Sequence, residues 1–201
     1  MDFSKVRQNL EKNGFAVSVF PDAKTAADYL DKAIDGTTVG IGGSMTVQQL
    51  GLYDRLSAHN QVFWHWRVPE GGDRAAIYAG AAAAEIYLSS VNGLAESGEL
   101  INIDGSGNRV SAIQYGHRKV YLIAGSNKLA PDYDAALFRA RNIAAPLNAQ
   151  RLHCKTPCAE KADRCYDCAV PGRICRGLSV LWKKPANCAY EVVLIDETLG
   201  Y

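Results

Sequence analysis

Short apolar segments alternate with helical patterns along most of this chain. Strand character is found at residues 15–20, 37–41, 61–66, 86–91, 100–103, 120–124 and 190–195. Helical patterns precede the helix-stop pair Asn13-Gly14 and cover residues 23–34, 45–56, 75–84 and 132–144. Strands that alternate with helices are typical of a mainly parallel sheet with helices on both faces. The pattern therefore predicts an open α/β fold.

Turn residues give two more specific expectations. Residues 104–109 (DGSGNR) are rich in Gly, Asn and Asp, so they predict the turn of a hairpin whose second strand covers 110–113. The helix at 132–144 is expected to begin with Asp132 as its N-cap and to be ended by Pro146.

The composition resembles that of ordinary soluble domains. The chain has 201 residues, 48% hydrophobic and 21% charged, so we expect one domain spanning residues 1–201. The first residues carry charged side chains where a signal peptide would need an apolar run. No stretch of the sequence approaches the roughly 18 apolar residues of a membrane span. We therefore expect a cytoplasmic protein with no membrane partner. A net charge of +1 argues against a general nucleic-acid partner.

All six cysteines lie between residues 154 and 188. Thiolates are soft ligands of zinc and iron, and a C-x-x-C step lets two sulfurs reach one metal centre. We therefore expect a metal site, and Cys154 and Cys188 have no assigned role in it. The predicted ligands have the spacing Cys158-x6-Cys165-x2-Cys168-x6-Cys175.

The identity of the metal stays open between zinc and iron. A reducing cytoplasm disfavours disulfides, and unliganded thiols are the other alternative. Zinc would form a tetrahedral clasp, whereas a [4Fe-4S] cluster suits the eight basic and three acidic residues between 151 and 188. We favour the iron-sulfur cluster. The segment 153–188 is expected to be a cysteine-rich metal-binding insertion before the last strand, because about 40 loop-rich residues usually need a metal or crosslinks to hold one shape.

Two glycine-containing turns and one lysine are candidates for binding a small anionic metabolite. Glycines let the backbone approach an anion at a strand-to-helix connection, and arginine can grip a carboxylate or phosphate with two hydrogen bonds. The same features occur as plain turns and surface charges. The candidate ligand-binding residues are Gly42, Gly43, Ser44, Thr46, Asp104, Asn108, Arg109 and Lys128.

Two further residues are candidates for acid-base catalysis. Glu96 follows a predicted strand end, where acid-base groups often lie in open α/β folds, and His117 stands beside Gly116. Glu96 is equally compatible with an exposed loop carboxylate, and His117 with a structural role. The sequence leaves open whether the chain is an enzyme and whether it forms a homo-oligomer.

Several segments, taken in order, resemble the LUD family of lactate utilization proteins, of the LutB/LutC type. The four-cysteine stretch that ends in Arg173-Ile174-Cys175 is similar to that of single-domain bacterial members. The resemblance covers nearly the whole chain. It is carried by the segments VGIGGSMT (39–46), DGSGNR (104–109), GSNK (125–128), APLNAQRL (145–152) and ETLGY (197–201).

The resemblance implies a fold similar to the group of ribose-5-phosphate isomerase, glucosamine-phosphate deaminase and CoA-transferases. It also implies a link to a multi-protein iron-sulfur system that oxidises L-lactate to pyruvate. The chain lacks the ferredoxin-like cysteine runs of the longer partner in that system, so we expect any redox step to need a partner protein. It also lacks a nicotinamide fingerprint G-x-G-x-x-G.

Three functions are compatible with these features. The first is a role in lactate or organic-acid metabolism, with an anion in the α/β crevice and a metal or iron-sulfur cluster in the cysteine segment. The second is an isomerase or hydrolase of a phosphorylated small molecule, with a structural metal. The third is a non-catalytic protein that docks a partner through its basic cysteine segment.

Overall fold

The computed structural model describes residues 1–201 and has ten strands and nine α-helices. The strands are β1 (Ala16–Phe20), β2 (Thr38–Ile41), β3 (Gln61–Trp64), β4 (Ile86–Ser90), β5 (Gly93–Ala95), β6 (Leu100–Asp104), β7 (Lys119–Gly125), β8 (Leu129–Ala130), β9 (Gly177–Leu181) and β10 (Ala189–Ile195). The helices are α1 (Ser4–Lys12), α2 (Ala23–Ala33), α3 (Met45–Gln49), α4 (Leu52–Leu56), α5 (Arg74–Ala83), α6 (Asn108–Gln114), α7 (Tyr133–Arg139), α8 (Ala145–Arg151) and α9 (Pro157–Lys161).

The main sheet has six strands in the order β1-β10-β7-β4-β2-β3, all parallel. This confirms the predicted open α/β fold. Every residue of β4 is buried, as expected for a parallel strand that is covered on both faces. Successive side chains alternate between faces, so Leu88 and Ile123 belong to one core cluster and Tyr87 and Leu122 to the other.

A second sheet of four strands, ordered β8-β5-β6-β9, was not expected from the sequence. Strand β6 runs antiparallel to both β5 and β9, and β5 runs parallel to β8. Strands of two or three residues, such as β8 and β5, carry too little periodicity to be recognised. Because β9 pairs with β6, the chain rejoins a sheet at Gly177, before the final strand.

The predicted hairpin at 100–113 is wrong, because its second half is helix α6. Gly107 precedes the helix with a left-handed φ of 84°. The Asp104 carboxylate accepts hydrogen bonds from the N–H groups of Gly105 (2.7 Å) and Val110 (3.1 Å). These bonds satisfy backbone donors at the start of the helix, so Asp104 organises a helix entry and not a two-strand turn.

Two predicted helix boundaries are also corrected. The helix predicted at 45–56 is interrupted at Gly51, whose φ of 64° is left-handed, and consists of α3 and α4. Pro146 lies in the first turn of α8, which continues from α7 through a π-helical segment, Ala140–Ala144. Proline is accommodated here directly after the π-helical segment, where regular α-helical hydrogen bonding is already interrupted. Pro146 therefore stands inside the helical region that it was expected to end.

No helix is both long and apolar enough to cross a bilayer.

Candidate functional site

A cavity of about 270 Å³ opens at the carboxyl ends of the parallel strands. The segments that follow β2, β3, β4 and β7 all contribute to its wall, as does the end of β6. Open α/β sheets commonly bind ligands at this edge. Seven of the eight predicted ligand-binding residues line the cavity, namely Gly43, Ser44, Thr46, Asp104, Asn108, Arg109 and Lys128.

The eighth, Gly42, lies under the cavity where a side chain has no room. A β-carbon at this position would stand 2.8 Å from the Tyr87 hydroxyl and 3.0 Å from Arg109 Cγ. The Gly42 N–H donates to Leu88 O at 2.9 Å. Ser44 Oγ accepts a hydrogen bond from Val47 N at 3.2 Å, so Ser44 caps the short helix α3.

Arg109 is held by the protein itself. Its Nη1 donates to Asn102 Oδ1, and its Nη2 donates to Ile103 O at 2.5 Å and to Asn92 Oδ1 at 3.3 Å. Its Nε lies 3.9 Å from Asp104 Oδ2. Most N–H donors of this guanidinium already bond to the protein. Arg109 therefore offers the cavity a fixed positive charge, and few donors remain for a contact with two hydrogen bonds to a ligand.

Lys128 and Arg139 place two more buried cations near the same cavity. Arg139 donates to Asn127 O (2.5 Å) and Asn92 O (2.7 Å). Burial lowers the pKa of Arg139 to about 10, which leaves it charged at neutral pH. Burial, followed by the charges of Arg139 and Arg109, lowers the pKa of Lys128 to about 7.

An aromatic wall, defined here as His65, Trp66 and Tyr78, was missed from the sequence. His65 stacks on Tyr78 with 4.9 Å between ring centroids. Arg151 lies over the Trp66 ring at 4.6 Å, and Arg74 over Tyr78 at 5.8 Å. Burial, and then the Arg74 charge, lower the pKa of His65, which favours the neutral imidazole. The position of His65 and Trp66 directly after a parallel strand was the available signal.

Tyr201, Ser90 and Asn92 also line the cavity and were not predicted. The Tyr201 hydroxyl is buried and makes no well-aligned hydrogen bond, although the Arg151 guanidinium lies close to it. Ser90 Oγ donates to Thr46 Oγ1 at 3.2 Å, and Thr46 Oγ1 donates to Leu199 O at 3.2 Å. The cavity therefore combines hydroxyl groups with its cations.

The two predicted acid-base residues lie outside the cavity lining. Glu96 forms an ion pair with Lys5, and its backbone N–H donates to Ala130 O at 2.8 Å. His117 stacks on Tyr87 at 4.7 Å, with its Nδ1 2.6 Å from Ala84 O. Burial lowers the pKa of His117. The structure thus gives each of them a structural partner, and a catalytic role for either stays a prediction.

The four predicted metal ligands Cys158, Cys165, Cys168 and Cys175 line a second cavity of about 20 Å³. None of the cysteines forms a disulfide. No three His, Cys, Asp or Glu side chains are placed so that they could hold one metal ion, so the metal site stays a prediction.

Polar groups lie close to two of these sulfurs. Cys165 Sγ lies 3.4 Å from the Asp167 nitrogen and 3.9 Å from Arg141 Nη2, and Cys158 Sγ lies 3.3 Å from the Thr156 hydroxyl. A single zinc needs all four sulfurs at about 2.3 Å from one point. A [4Fe-4S] cluster takes each thiolate on a separate iron and is tuned by hydrogen bonds to sulfur. The identity of the metal stays a prediction.

The two cavities share part of a wall. Cys175, Ile174 and Ala145 line both of them. The segment that carries Cys175 also packs closely against the turn after β6, since a β-carbon at Gly105 would stand 2.7 Å from Ile174 O. The predicted anion site and the predicted metal site are therefore adjacent.

Comparisons with known proteins agree with this architecture. A protein of the DUF162 (LUD) family from Deinococcus radiodurans superimposes with a TM-score of 0.51 at 10% sequence identity, over 97% of this chain and 99% of that one. The β subunit of eIF2B from Chaetomium thermophilum gives a TM-score of 0.33 at 15% identity, over 66% of this chain and 44% of that chain. The first likeness concerns the fold, and the second carries no argument. No curated protein sequence matches the chain.

The sequence itself matches the model of the LUD domain over residues 3–194. That match covers both sheets up to residue 194, all four predicted metal ligands and every cavity segment except Gly200 and Tyr201. The chain therefore belongs to the LUD domain family.

Proposed function

We propose that the cavity binds a small organic anion and that the cysteine segment holds a [4Fe-4S] cluster, in a protein of lactate or related organic-acid metabolism. The observation that carries this proposal is the wall shared by the two cavities at Cys175. A ligand in the larger cavity would lie next to a group bound by that cysteine. Family membership supports the metabolic setting.

The charge distribution supports an anionic ligand. The cavity is lined by the guanidiniums of Arg74, Arg109 and Arg151, by the Lys128 amine and by one acidic side chain, Asp104, which Arg109 Nε faces at 3.9 Å. Positive charge is therefore in excess, and low-dielectric walls strengthen its attraction for an anion. A volume of about 270 Å³ lies near the lower end of the range for small-molecule sites, about 300 Å³ upwards. This suits a small metabolite.

The cysteine segment supports a cluster through its donor set. Four thiols, the Asp167 N–H directed at Cys165 and the guanidinium of Arg141 supply ligands, a hydrogen bond and compensating charge. When bound, a cluster supplies one-electron transfer. Oxidation of a hydroxy acid removes two electrons, so a redox partner protein is part of the proposal.

Anaerobic purification followed by iron and sulfide analysis tests the cluster. We expect iron and acid-labile sulfide in the wild type and a loss of both in C165S and C168S. C188S is the matched control, because Cys188 lies outside the second cavity and its Sγ–H faces Ala189 O at 3.2 Å. A sample without iron, or one that holds zinc alone, contradicts the cluster.

Calorimetric titration tests the anion site. We expect L-lactate or pyruvate to bind and the same ligand to bind at least about tenfold more weakly to R109M, because a fixed charge is removed. Phosphorylated sugars are the comparison ligands, and their preferential binding would favour the isomerase or hydrolase function. Absence of binding by every anion contradicts the proposed cavity function.

A further inference from the structure

The amine of Lys128 has no partner in the protein. The residue is only 2% exposed, and no acceptor stabilises its charge. Buried lysines are almost always paired, because an unpaired charge loses its hydration without compensation. Lys119 shows the usual arrangement, with its Nζ donating to Glu191 Oε2 at 2.8 Å. An unpaired amine in the wall of a cavity points to a ligand that contacts it.

Lys128 and Thr46 both belong to the cavity lining. Lys128 ends the 3₁₀ turn Ser126–Lys128, directly after β7. Its Nζ lies 3.4 Å from the point that a β-carbon at Gly200 would occupy, and the Thr46 hydroxyl lies only 2.6 Å from that point. Glycine at position 200 therefore lets the backbone pack closely against both groups. Because both groups line the cavity, a small molecule in it can reach the amine and the Thr46 hydroxyl.

The neighbouring guanidiniums change the chemistry of the amine. Burial, and then the charges of Arg139 and Arg109, lower the pKa of Lys128 to about 7. At pH 7 this gives about a thousandfold more neutral amine than a lysine with the ordinary pKa of about 10.4 has. Neutral amine is the nucleophilic form. Arg109 and Arg139, both held by hydrogen bonds, keep a positive potential that attracts a carboxylate.

We infer that Lys128 captures the carbonyl carbon of a small α-oxo acid as a covalent imine. The inference rests on the anion-binding part of the proposed function and names its substrate class. The Nζ lone pair forms the C–N bond while the carbonyl π electrons move to oxygen, which takes up a proton. Nitrogen then loses one proton, which gives a neutral carbinolamine. The carbinolamine hydroxyl takes up a second proton and leaves as water while the nitrogen lone pair forms the C=N bond, and loss of the remaining N–H proton leaves a neutral imine. No oxidant or reductant is consumed.

Tyr201 adds a polar group to the same cavity lining. Its hydroxyl is buried and makes no well-aligned hydrogen bond, with the Arg151 guanidinium nearby. A carbinolamine formed on Lys128 would share the cavity with this hydroxyl, while the carboxylate of the oxo acid remains near the fixed guanidiniums.

Reductive trapping tests the inference on the wild-type protein. The protein is incubated with pyruvate or glyoxylate and sodium cyanoborohydride, and peptides are mapped by mass spectrometry. We expect a reduced adduct on Lys128, formed at a rate that rises through about pH 7, in line with the lowered pKa. L-Lactate and oxalate are control ligands, since each is a carboxylate without a ketone or aldehyde group. K128R keeps the positive charge and is expected to form no adduct.

The outcomes separate this inference from the proposed function. Pyruvate binding by calorimetry without an adduct on Lys128 overturns the imine and leaves the anion site in place. Adducts spread over exposed lysines, and unchanged in K128R, also overturn it. If pyruvate and glyoxylate neither bind nor react, the inference is wrong. If no other anion binds either, the proposed anion site is also wrong.

Discussion

The backbone at Gly42 packs closely against the side chains of Tyr87 and Arg109 beneath the cavity. Its position after β2 was predicted to matter for ligand approach, and the structure adds a packing reason. The sequence identified Arg109 as a cation of the site. It did not show that Asn92, Asn102 and Ile103 accept hydrogen bonds from its guanidinium. Residue types near a strand end can be read from a sequence, whereas the partners of a guanidinium depend on segments far apart in the chain.

The substitution G42A tests this packing. A β-carbon would stand 2.8 Å from the Tyr87 hydroxyl and 3.0 Å from Arg109 Cγ, and such overpacking typically costs about 1–3 kcal/mol. We expect a loss of this size in the free energy of unfolding, measured with denaturant, together with weaker anion binding. G43A is the control, because its nearest contact would be 3.3 Å, to Trp66. Equal stability losses in both variants would show that the close approach at Gly42 is unimportant.

At the scale of elements, the alternation of strands and helices was predictable because buried parallel strands form uninterrupted apolar runs. Strands β5 and β8 were not predictable, since three and two residues show no period. Helix α6 was mistaken for a strand because Val110 and Ile113 are β-branched, although Ala112 and Ile113 are buried as part of a helix. Its start depends on the Asp104 carboxylate, a local contact that outweighs intrinsic preference.

A buried carboxylate connects three strands and one helix of the main sheet. Glu191 on β10 accepts hydrogen bonds from Ser18 on β1 (2.7 Å), Tyr29 on α2 (2.7 Å) and Lys119 on β7 (2.8 Å). Burial alone would raise the pKa of Glu191, but these hydrogen bonds outweigh it and hold the pKa below the usual value. Its ionised form therefore stabilises the sheet above the unfolded pKa of about 4.3.

The pH dependence of unfolding tests that arrangement. Because the folded pKa is depressed, this contribution is present above about pH 4.3 and is lost as the pH falls through the folded value. We expect E191Q to lose about 2 kcal/mol at neutral pH and to show a weaker decline in stability under acid than the wild type. E11Q, in the exposed pair with Arg7, is the control and is expected to leave both quantities nearly unchanged. A parallel acid decline in E191Q and wild type would refute the assignment.

The position of Pro146 gives a second test at this scale. Because it directly follows the π-helical segment, where regular α-helical hydrogen bonding is already interrupted, P146A is expected to change the free energy of unfolding by less than about 1 kcal/mol. A149P, one turn later, is expected to cost about 3 kcal/mol or more, since proline removes a helical hydrogen bond. Thermal or denaturant unfolding compares the two. A large loss in P146A with a small loss in A149P would mean that α8 begins elsewhere.

At the scale of the whole molecule, the cysteine segment and the α/β sheet meet at one wall. The sequence predicted the four cysteines and seven of the cavity residues as two separate sites. Their adjacency could not be predicted, because it depends on β9 pairing with β6 and on the packing of Ile174 against Gly105. The aromatic wall was not predicted for the same reason, since the contacts of His65 with Tyr78 and of Arg151 with Trp66 join separate segments.

Electron paramagnetic resonance of the anaerobically purified, reduced protein during titration with L-lactate or pyruvate measures this adjacency most directly. Cys175 lines both cavities, so we expect a cluster signal that shifts as the anion binds, with the same midpoint as the calorimetric titration. C188S is expected to show the same shift. A cluster signal that stays unchanged while calorimetry shows the anion cavity to be saturated, or the absence of any cluster, would contradict the account.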